Sequence, residues 1–201
     1  RYAVKQFSTD EHISEDDFNF ILKSASLAPS CYGLEPWKII VVNNKDLRSK
    51  ISEVGFHQPK IIDSDYLVVL CVRKSSAKEL IDEYMDRASK IYQVDPSELS
   101  GLRASMEADL LSRPPESIVP WSMRQCYITL GFMLETAALI GVDACPMEGF
   151  INKEVDRILG LEEKNLQSLA MAAFGVRSKE DKLADKPKVR RDISDYREVI
   201  E

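Results

Sequence analysis

The sequence is short of the residues from which metal and redox sites are usually built. It has only two histidines, His12 and His57, and its four cysteines lie far apart without a CxxC pair. A zinc site needs closely spaced cysteines and histidines, and a dithiol redox site needs a CxxC pair. We therefore expect no metal site, and we interpret the scattered cysteines as reduced thiols of a cytoplasmic protein.

Long apolar runs and an excess of positive charge are lacking as well. The most apolar stretch, residues 128–142, is interrupted by Thr129, Glu135 and Thr136, so we expect a buried helix there and not a membrane span. No signal-peptide pattern is present at Arg1, where the sequence starts. The formal net charge is −6, which argues against nucleic acid or an anionic membrane surface as the main partner.

The remaining composition is typical of one globular domain over residues 1–201. Hydrophobic residues make up 44% of the sequence and charged residues 30%. Three apolar runs predict buried strands at residues 39–42, 66–72 and 169–176. Helical spacing of apolar residues predicts helices at residues 14–28, 46–54, 79–91, 98–111, 119–140 and 152–159. Because the first run is β-branched on both faces, we expect helices on both sides of the sheet.

A polar stretch with two prolines, residues 28–37, joins the first helix to the first strand. Each proline disfavours the α conformation in the residue before it, so we expect the helix to end at Ala28 and the strand to begin after Glu35. The residues between the prolines are small or hydrogen-bonding: Ser30, Cys31, Tyr32 and Gly33. Such a turn can bring backbone amides to a ligand, but an ordinary connection between helix and strand accounts for the same residues.

Two groups of cations suggest an anion site. Arg1 and Lys5 have the period-two spacing that points both side chains the same way in an extended segment, an arrangement that suits a phosphate or an anionic ring edge. The C-terminal part carries a second group: Lys182, Lys186, Lys188, Arg190 and Arg191. A solvated strand and a solvated basic tail are the plain alternatives.

Three further segments remain open to interpretation. Residues 55–60 form a predicted loop that contains His57 and Lys60, both of which an exposed surface position would explain. Residues 143–150 form a predicted turn in which proline and glycine bracket Glu148. Residues 74–118 have a mixed helical pattern, which is typical of a helical excursion that covers a site.

Four motifs in order make these hints more specific. The sequence has an RYxxKxF start, an APSxxxxxPW turn, a PxEGF turn and a late PKxR segment. In this order and spacing they resemble the FMN-dependent nitroreductase family, most closely the oxygen-insensitive NAD(P)H nitroreductases and the dihydropteridine-reductase-like members. The resemblance covers nearly the whole chain and is weakest between Lys74 and Ile118.

The resemblance implies an α+β fold and a particular assembly. The fold would be an α/β sandwich with a mixed, mainly antiparallel central sheet flanked by helices. Two chains would form an intertwined homodimer with FMN at the interface. Residues 74–118 would be the helical excursion, and the C-terminal tail, residues 182–201, would be exchanged between subunits.

The resemblance also implies which residues bind FMN. The phosphate would be held by Arg1, Lys188 and Arg190, and Lys5 would approach the pyrimidine edge of the flavin. The pyrimidine edge and ribityl chain would be contacted by His57 and Lys60. The ring would lie along Pro146, Met147, Glu148 and Gly149, with a backbone N–H near N5. The partner subunit would contribute Pro29, Ser30, Cys31 and Gly33.

Five positions depart from the commonest pattern of the family. Tyr2 and Ala3 stand where His and Ser are usual, Cys31 where Ser is usual, and Gly33 and His57 where Asn is usual. Some hydrogen bonds to the flavin must therefore be made by other groups or lost. We still expect FMN binding, but the substrate preference remains open.

The implied function is that of an NAD(P)H oxidoreductase. A nicotinamide would give a hydride to flavin N5 and leave, and a nitroaromatic, quinone or similar flat acceptor would then take its place. No catalytic side chain is implied, because the protein contributes positioning and electrostatics. Two alternatives remain: a flavin enzyme of the same fold with dehalogenase-like or flavin-fragmenting chemistry, and a non-catalytic FMN-binding protein.

Overall fold

Four antiparallel strands form the centre of the molecule in a computed structural model that describes residues 1–200. The strands are β1 (Trp37–Val41), β2 (Tyr66–Arg73), β3 (Asp143–Met147) and β4 (Leu166–Gly175). Their order in the sheet is β1-β2-β4-β3, and each neighbouring pair is antiparallel. A parallel pairing occurs at the isolated bridge between Ala3 and Ala144. The two edges of the sheet are therefore β1 and β3.

Within residues 1–200, seven α-helices surround the sheet. They are α1 (Glu15–Ala25), α2 (Lys45–Val54), α3 (Lys60–Asp63), α4 (Ala77–Tyr92), α5 (Ser100–Leu110), α6 (Ile118–Leu139) and α7 (Asn152–Leu159). Side-chain caps fix several starts: the Ser14 and Asn44 side chains accept from backbone N–H groups of α1 and α2, and Ser76 forms a capping box with Glu79 at α4. Gly141, at φ +80°, follows the end of α6, as expected for a glycine C′ residue.

The sheet buries both of its faces, as the sequence predicted. Alternate residues of β2 point to opposite sides, so Leu67, Val69 and Cys71 belong to a core with α2 and α7. The intervening Val68, Leu70 and Val72 belong to a core with α1 and α6. The helices thus form one layer on each side of the sheet.

A third hydrophobic cluster lies within residues 74–118 and their neighbours. It joins apolar residues of α4 and α5, among them Leu80, Met85 and Met106, to Trp121 at the start of α6. Leu34, from the turn before β1, is buried in the same cluster. The two excursion helices therefore pack against the proline-rich turn as well as against α6.

Two local predictions were wrong. Residues 143–147 form β3 and not a turn, and Pro146 is tolerated there because an edge strand can place a residue without an N–H outside the ladder. Helix α1 ends at Ala25, three residues before Ala28. At Glu35 the prediction is confirmed: with φ +47° this residue lies outside the right-handed α region, and β1 begins after it, at Trp37.

The N-terminal segment is also less regular than predicted. Ala3 and Phe7 form isolated bridges with Ala144 and Arg177, and a bend occupies Lys5 and Gln6 between them. The segment is extended but is not one strand, so the period-two argument that points Arg1 and Lys5 the same way does not hold across the bend.

Residues 1–200 contain neither a membrane-spanning helix nor a cluster of metal-ligating side chains. No helix in this part of the chain has the length and apolar character needed to cross a membrane. No group of three or more His, Cys, Asp or Glu side chains is arranged to hold a metal ion within the described residues.

Candidate functional site

The edge strand β3 arranges the largest group of candidate residues. The N-terminal segment runs parallel to it, with the Val4 N–H donating to the Ala144 carbonyl at 3.2 Å. This pairing places Arg1 beside the first half of β3, whereas Glu148 directly follows its last residue. At a rise of about 3.3 Å per residue, Ala144 and Glu148 are about 13 Å apart. The edge therefore has two distinct ends, which an elongated ligand could span.

One end is a small cavity with an excess of cations. Its volume is about 200 Å³, and its lining includes Arg1, Tyr2 and Lys188 together with Asp143 and Arg177. The Tyr2 ring lies between Lys188 Nζ, 5.0 Å from its centroid, and Arg177 Cζ, 5.5 Å from its centroid. Arg177 is already paired with Asp143 through hydrogen bonds of 2.6 to 3.0 Å. In residues 1–200 no carboxylate lies within 4.0 Å of Arg1 or Lys188, so both are available to an external anion.

A buried carboxylate, that of Asp181, connects the segments at this end of the edge. Asp181 accepts from Tyr2 Oη at 3.0 Å and from the backbone N–H of Lys5 at 2.8 Å. Burial alone would raise the pKa of Asp181, but the hydrogen bonds from the Lys5 and Leu183 backbones and from Tyr2 hold it below the usual value. Burial, assisted by the hydrogen bond to Asp181, raises the pKa of Tyr2 to about 12, so Tyr2 remains a neutral donor. The N-terminal segment is thereby fastened to the start of the C-terminal tail.

The other end is the turn Glu148-Gly149-Phe150, which is held from three sides. The Phe150 N–H donates to the Glu148 carbonyl at 2.9 Å. Tyr127, on α6, donates from Oη to Glu148 Oε1 at 2.6 Å. Gln58 donates from Nε2 to the Gly149 carbonyl at 2.7 Å. These contacts use the oxygen atoms of the turn and fix its conformation.

The N–H groups of the same turn remain available. In the part of the chain that the structure describes, neither the Glu148 N–H nor the Gly149 N–H donates to another protein group. Both residues are exposed. Two adjacent backbone donors in a turn of fixed conformation can serve a hydrogen-bond acceptor on a flat ligand without any movement of the chain.

His57 lies on the loop that contacts this turn, and Lys60 follows that loop. Phe56 and His57 both have left-handed backbones, at φ +57° and +51°, and the His57 N–H donates to the Ser52 carbonyl at 2.8 Å. Gln58, the next residue, makes the bond to Gly149. The sequence had predicted that Lys60 is part of the loop, but Lys60 is the first residue of α3. The structure therefore brings the His57 loop and the Glu148 turn together.

The residues of the proline-rich turn lie in a separate place. The Cys31 N–H donates to Gln125 Oε1 of α6 at 3.0 Å, and the Gly33 carbonyl accepts from Arg87 of α4 at 2.9 Å. The Ser30 Oγ accepts from the Glu35 N–H at 3.0 Å. Burial raises the pKa of the Cys31 thiol, which disfavours a reactive thiolate. Cys31 and Gly33 thus contact α6 and α4, whereas Pro29 is exposed and Ser30 bonds within the turn. None of these four residues lines the cation cavity.

Arg190 is not part of the cation cavity. Its Nη1 donates to the carbonyl of its own neighbour, Val189, at 2.8 Å, and both residues are exposed. The Lys5 side chain is exposed as well. Of the three cations predicted to meet at the phosphate position, the single chain brings together Arg1 and Lys188.

Sequence reasoning missed four residues of this arrangement. They are Gln58, Tyr127, Arg177 and Asp181. Each acts by contacting a residue distant in the sequence, up to 179 positions away in the pair Tyr2 and Asp181. A weak signal existed for Asp181, an acidic residue at the start of a basic tail, but nothing in the sequence pattern indicated its burial.

Comparison with known proteins gives consistent matches for both the sequence and the fold. The profile of the Nitroreductase family matches residues 1–176. The protein YfkO of Bacillus subtilis (strain 168), provisionally named an NAD(P)H nitroreductase, is 34% identical over 206 residues, which are 97% of this chain and 91% of YfkO.

Solved structures agree at the level of the fold. The crystal structure of ydfN from Bacillus subtilis, provisionally named a nitroreductase, has a TM-score of 0.86 at 20% identity and covers 100% of this chain and 95% of that chain. A provisionally named nitroreductase from Exiguobacterium sibiricum, solved in complex with FMN, has a TM-score of 0.83 at 18% identity, with 100% and 93% covered. These structures confirm the predicted α+β fold of the nitroreductase type.

Proposed function

Because the chain belongs to the nitroreductase family, we propose that it is an FMN-dependent NAD(P)H oxidoreductase that reduces flat electron acceptors such as nitroaromatics or quinones. The observation that carries this proposal is the turn at Glu148 and Gly149, where two adjacent backbone N–H groups are available at a position fixed by Tyr127 and Gln58. The FMN complex of a protein with the same fold supports the choice of cofactor.

The residues at the β3 edge fit FMN. Arg1 and Lys188 have no carboxylate partner among residues 1–200, so they can hold a phosphate without first breaking an ion pair. The amides of Glu148 and Gly149 would face the acceptor atoms of the ring, and Lys5 and Lys60 would supply positive charge near its pyrimidine edge. When bound, FMN would supply the redox chemistry, which is the transfer of a hydride from a nicotinamide and of its electrons to a second substrate.

The protein side of this reaction is positioning, with no side-chain nucleophile. Burial, together with the bond to Glu148, raises the pKa of Tyr127 to about 12, so its hydroxyl keeps its proton at neutral pH and holds the Glu148 carboxylate in place. Raised pKa values likewise keep the Cys31, Cys71 and Cys126 thiols protonated. A ping-pong cycle, in which the nicotinamide leaves before the acceptor enters, would follow from a single stacking surface over the flavin.

We propose further that two chains form the enzyme, with residues 1–201 as one domain in each. Helix α6 has an apolar stripe at helical spacing, where Ile128 is 40% exposed, Phe132 38% and Leu139 77%. The tail is exposed too, with Val189 94% and Ile200 89% accessible. Apolar surface on this scale favours burial against a second copy. The partner's proline-rich turn and exchanged tail would complete the flavin site there. The four free cysteines are consistent with a cytoplasmic location.

One experiment tests the proposal. Purified protein is reconstituted with FMN, and NADH or NADPH consumption is followed with nitrofurazone or menadione as acceptor. We expect a yellow protein that oxidises the nicotinamide only when an acceptor is present. A protein that takes up no FMN would refute the proposal, and one that binds FMN without sustained turnover would instead be a flavin-binding protein.

A further inference from the structure

The turn before β1 contains three residues with left-handed backbone conformations. Tyr32, Gly33 and Glu35 have φ values of +55°, +70° and +47°. A glycine tolerates the left-handed region, but Tyr and Glu adopt it at a cost in energy. Such conformations persist only where the surrounding structure imposes them. Something outside the turn must therefore hold it in this shape.

Helix α4 supplies the first restraint. Arg87 donates from Nη2 to the Gly33 carbonyl at 2.9 Å, and the same nitrogen lies 3.3 Å from Glu35 Oε2. One guanidinium therefore contacts two of the three left-handed residues. Tyr84, one turn earlier in α4, packs against Gly33 so closely that a Cβ at that position would lie 3.2 Å from its ring.

Helix α5 supplies the second restraint. Tyr32, the remaining left-handed residue, donates from Oη to Asp109 Oδ2 at 3.2 Å. Asp109 is itself oriented by Arg113, whose Nε and Nη2 donate to it at 2.8 to 3.1 Å. All three left-handed residues are thus contacted by side chains of the helical pair α4–α5.

We propose that the helical pair formed by α4 and α5 holds the proline-rich turn in its ligand-binding shape, with Arg87 as its principal positioning residue. The inference rests on the proposed function, in which Pro29, Ser30, Cys31 and Gly33 contact the FMN of the partner subunit. It gives residues 74–118 a role that does not require them to touch the flavin. Arg87 acts through the Gly33 carbonyl and Glu35, so its loss would let the turn relax towards conformations that Tyr32 and Glu35 prefer.

The test uses full-length protein without FMN, titrated with FMN and followed by quenching of flavin fluorescence, with the melting temperature of each variant measured beforehand. Arg87→Met keeps the length of the side chain and removes its donors. We expect it to weaken FMN binding about tenfold while the melting temperature stays close to that of the wild type. Arg87→Lys, which keeps a cation and one donor for the Gly33 carbonyl, should recover part of the loss.

Two control variants distinguish a specific effect of Arg87 on the turn from a general weakening of the packing of α4 and α5. Lys90→Met removes an exposed pair with Asp86 one turn along the same helix. Arg103→Met removes an ion pair between α5 and α4, in which Arg103 Nη1 lies 2.7 Å from Asp82 Oδ1. This pair does not involve the turn. Both should bind FMN within about twofold of the wild type. If Arg103→Met were as weak as Arg87→Met, the effect would be a general one and the specific role of Arg87 would be wrong.

The remaining outcomes are also decisive. Arg87→Met with wild-type affinity would overturn the inference and leave the proposed function standing, whereas a wild type that binds no FMN would overturn both. If Arg87→Met is too unstable to assay, Tyr32→Phe takes its place, because it deletes only the hydroxyl that reaches Asp109. We expect about threefold weaker FMN binding for Tyr32→Phe, and an unchanged value would count against the inference.

Discussion

Tyr127 and Glu148 are joined by a hydrogen bond of 2.6 Å that connects helix α6 to the turn after β3. The donor lies on the helix that carries the exposed apolar stripe, and the acceptor belongs to the turn with available N–H groups. The helix proposed to form the dimer interface therefore also fixes the part of the turn proposed to face the flavin ring. The two proposed features are physically linked through one side chain.

Tyr127→Phe should weaken FMN binding without unfolding the protein. The variant removes one donor to a charged acceptor in a partly exposed setting, which corresponds to about 1 kcal/mol and a factor of about five in affinity. Fluorescence titration measures the FMN affinity of the variant and of the wild type. The matched comparison is a double-mutant cycle with Glu148→Met, which removes the acceptor, so the two changes should be less than additive because they remove the same contact. Strict additivity would show that the contact does not support the binding site.

Lys188→Met should discriminate between FMN and riboflavin. Lys188 lines the cation cavity beside Arg1 and would contact the phosphate, which riboflavin lacks. Loss of one cation at a phosphate should weaken FMN binding about tenfold, or about 1.4 kcal/mol, and leave riboflavin binding unchanged. The FMN affinity of the wild type should also fall more steeply with ionic strength than that of the variant.

The control for this comparison is Lys186→Met, an exposed lysine two residues earlier in the same tail that does not line the cavity. It should bind FMN like the wild type. Equal losses for FMN and riboflavin in Lys188→Met would contradict the assignment of the cavity to the phosphate.

Asp181 should contribute stability that disappears in acid. Its folded-state pKa is lowered, so the carboxylate stabilises the fold above the unfolded-state value of about 3.9, and this contribution is lost as the pH falls through the folded-state pKa. Asp181→Asn should lower the free energy of unfolding by about 2 kcal/mol at pH 7, because backbone donors then face an amide. Urea unfolding at pH 7 and pH 3 should show the difference from the wild type narrowing at the lower pH.

Asp185→Asn provides the comparison for this measurement, since Asp185 is exposed in the same segment. Its unfolding free energy should match that of the wild type at both pH values. A destabilisation by Asp181→Asn that stayed constant from pH 7 to pH 3 would mean that the charge of Asp181 is not what stabilises the tail.

The regular elements could be predicted because their signals are local. The apolar run of β2 indicates a buried strand, and the spacing of apolar residues along α6 indicates a helix with a buried face. Both elements lie within one residue of the predicted bounds. Strand β3 was missed because Pro146 and Gly149 imitate a turn, and only its position at the sheet edge makes the proline acceptable.

The site was harder to predict because its geometry depends on contacts between distant residues. Gln58 and Gly149 are 91 positions apart, and Tyr2 and Asp181 are 179 apart. The left-handed backbones of Tyr32 and Glu35 likewise oppose local preference and are held by α4 and α5. The motifs grouped the N-terminal segment with residues 143–150 and the C-terminal tail, and the structure brings Arg1, β3 and Lys188 together. The residues that hold these segments in place are visible only in the folded chain.

Phe132→Glu should convert a dimer into monomers and weaken FMN binding at the same time. Phe132 lies in the middle of the exposed stripe of α6, so a carboxylate there would be buried without a partner in the proposed interface, at a cost of several kcal/mol. Analytical ultracentrifugation measures the mass, and titration measures the FMN affinity. Phe20→Glu, on α1 at a side chain that is 56% exposed, makes the same chemical change away from the stripe and should stay dimeric. A monomeric wild type, or a dimeric Phe132→Glu with normal FMN affinity, would show that the stripe is not the interface that completes the flavin site.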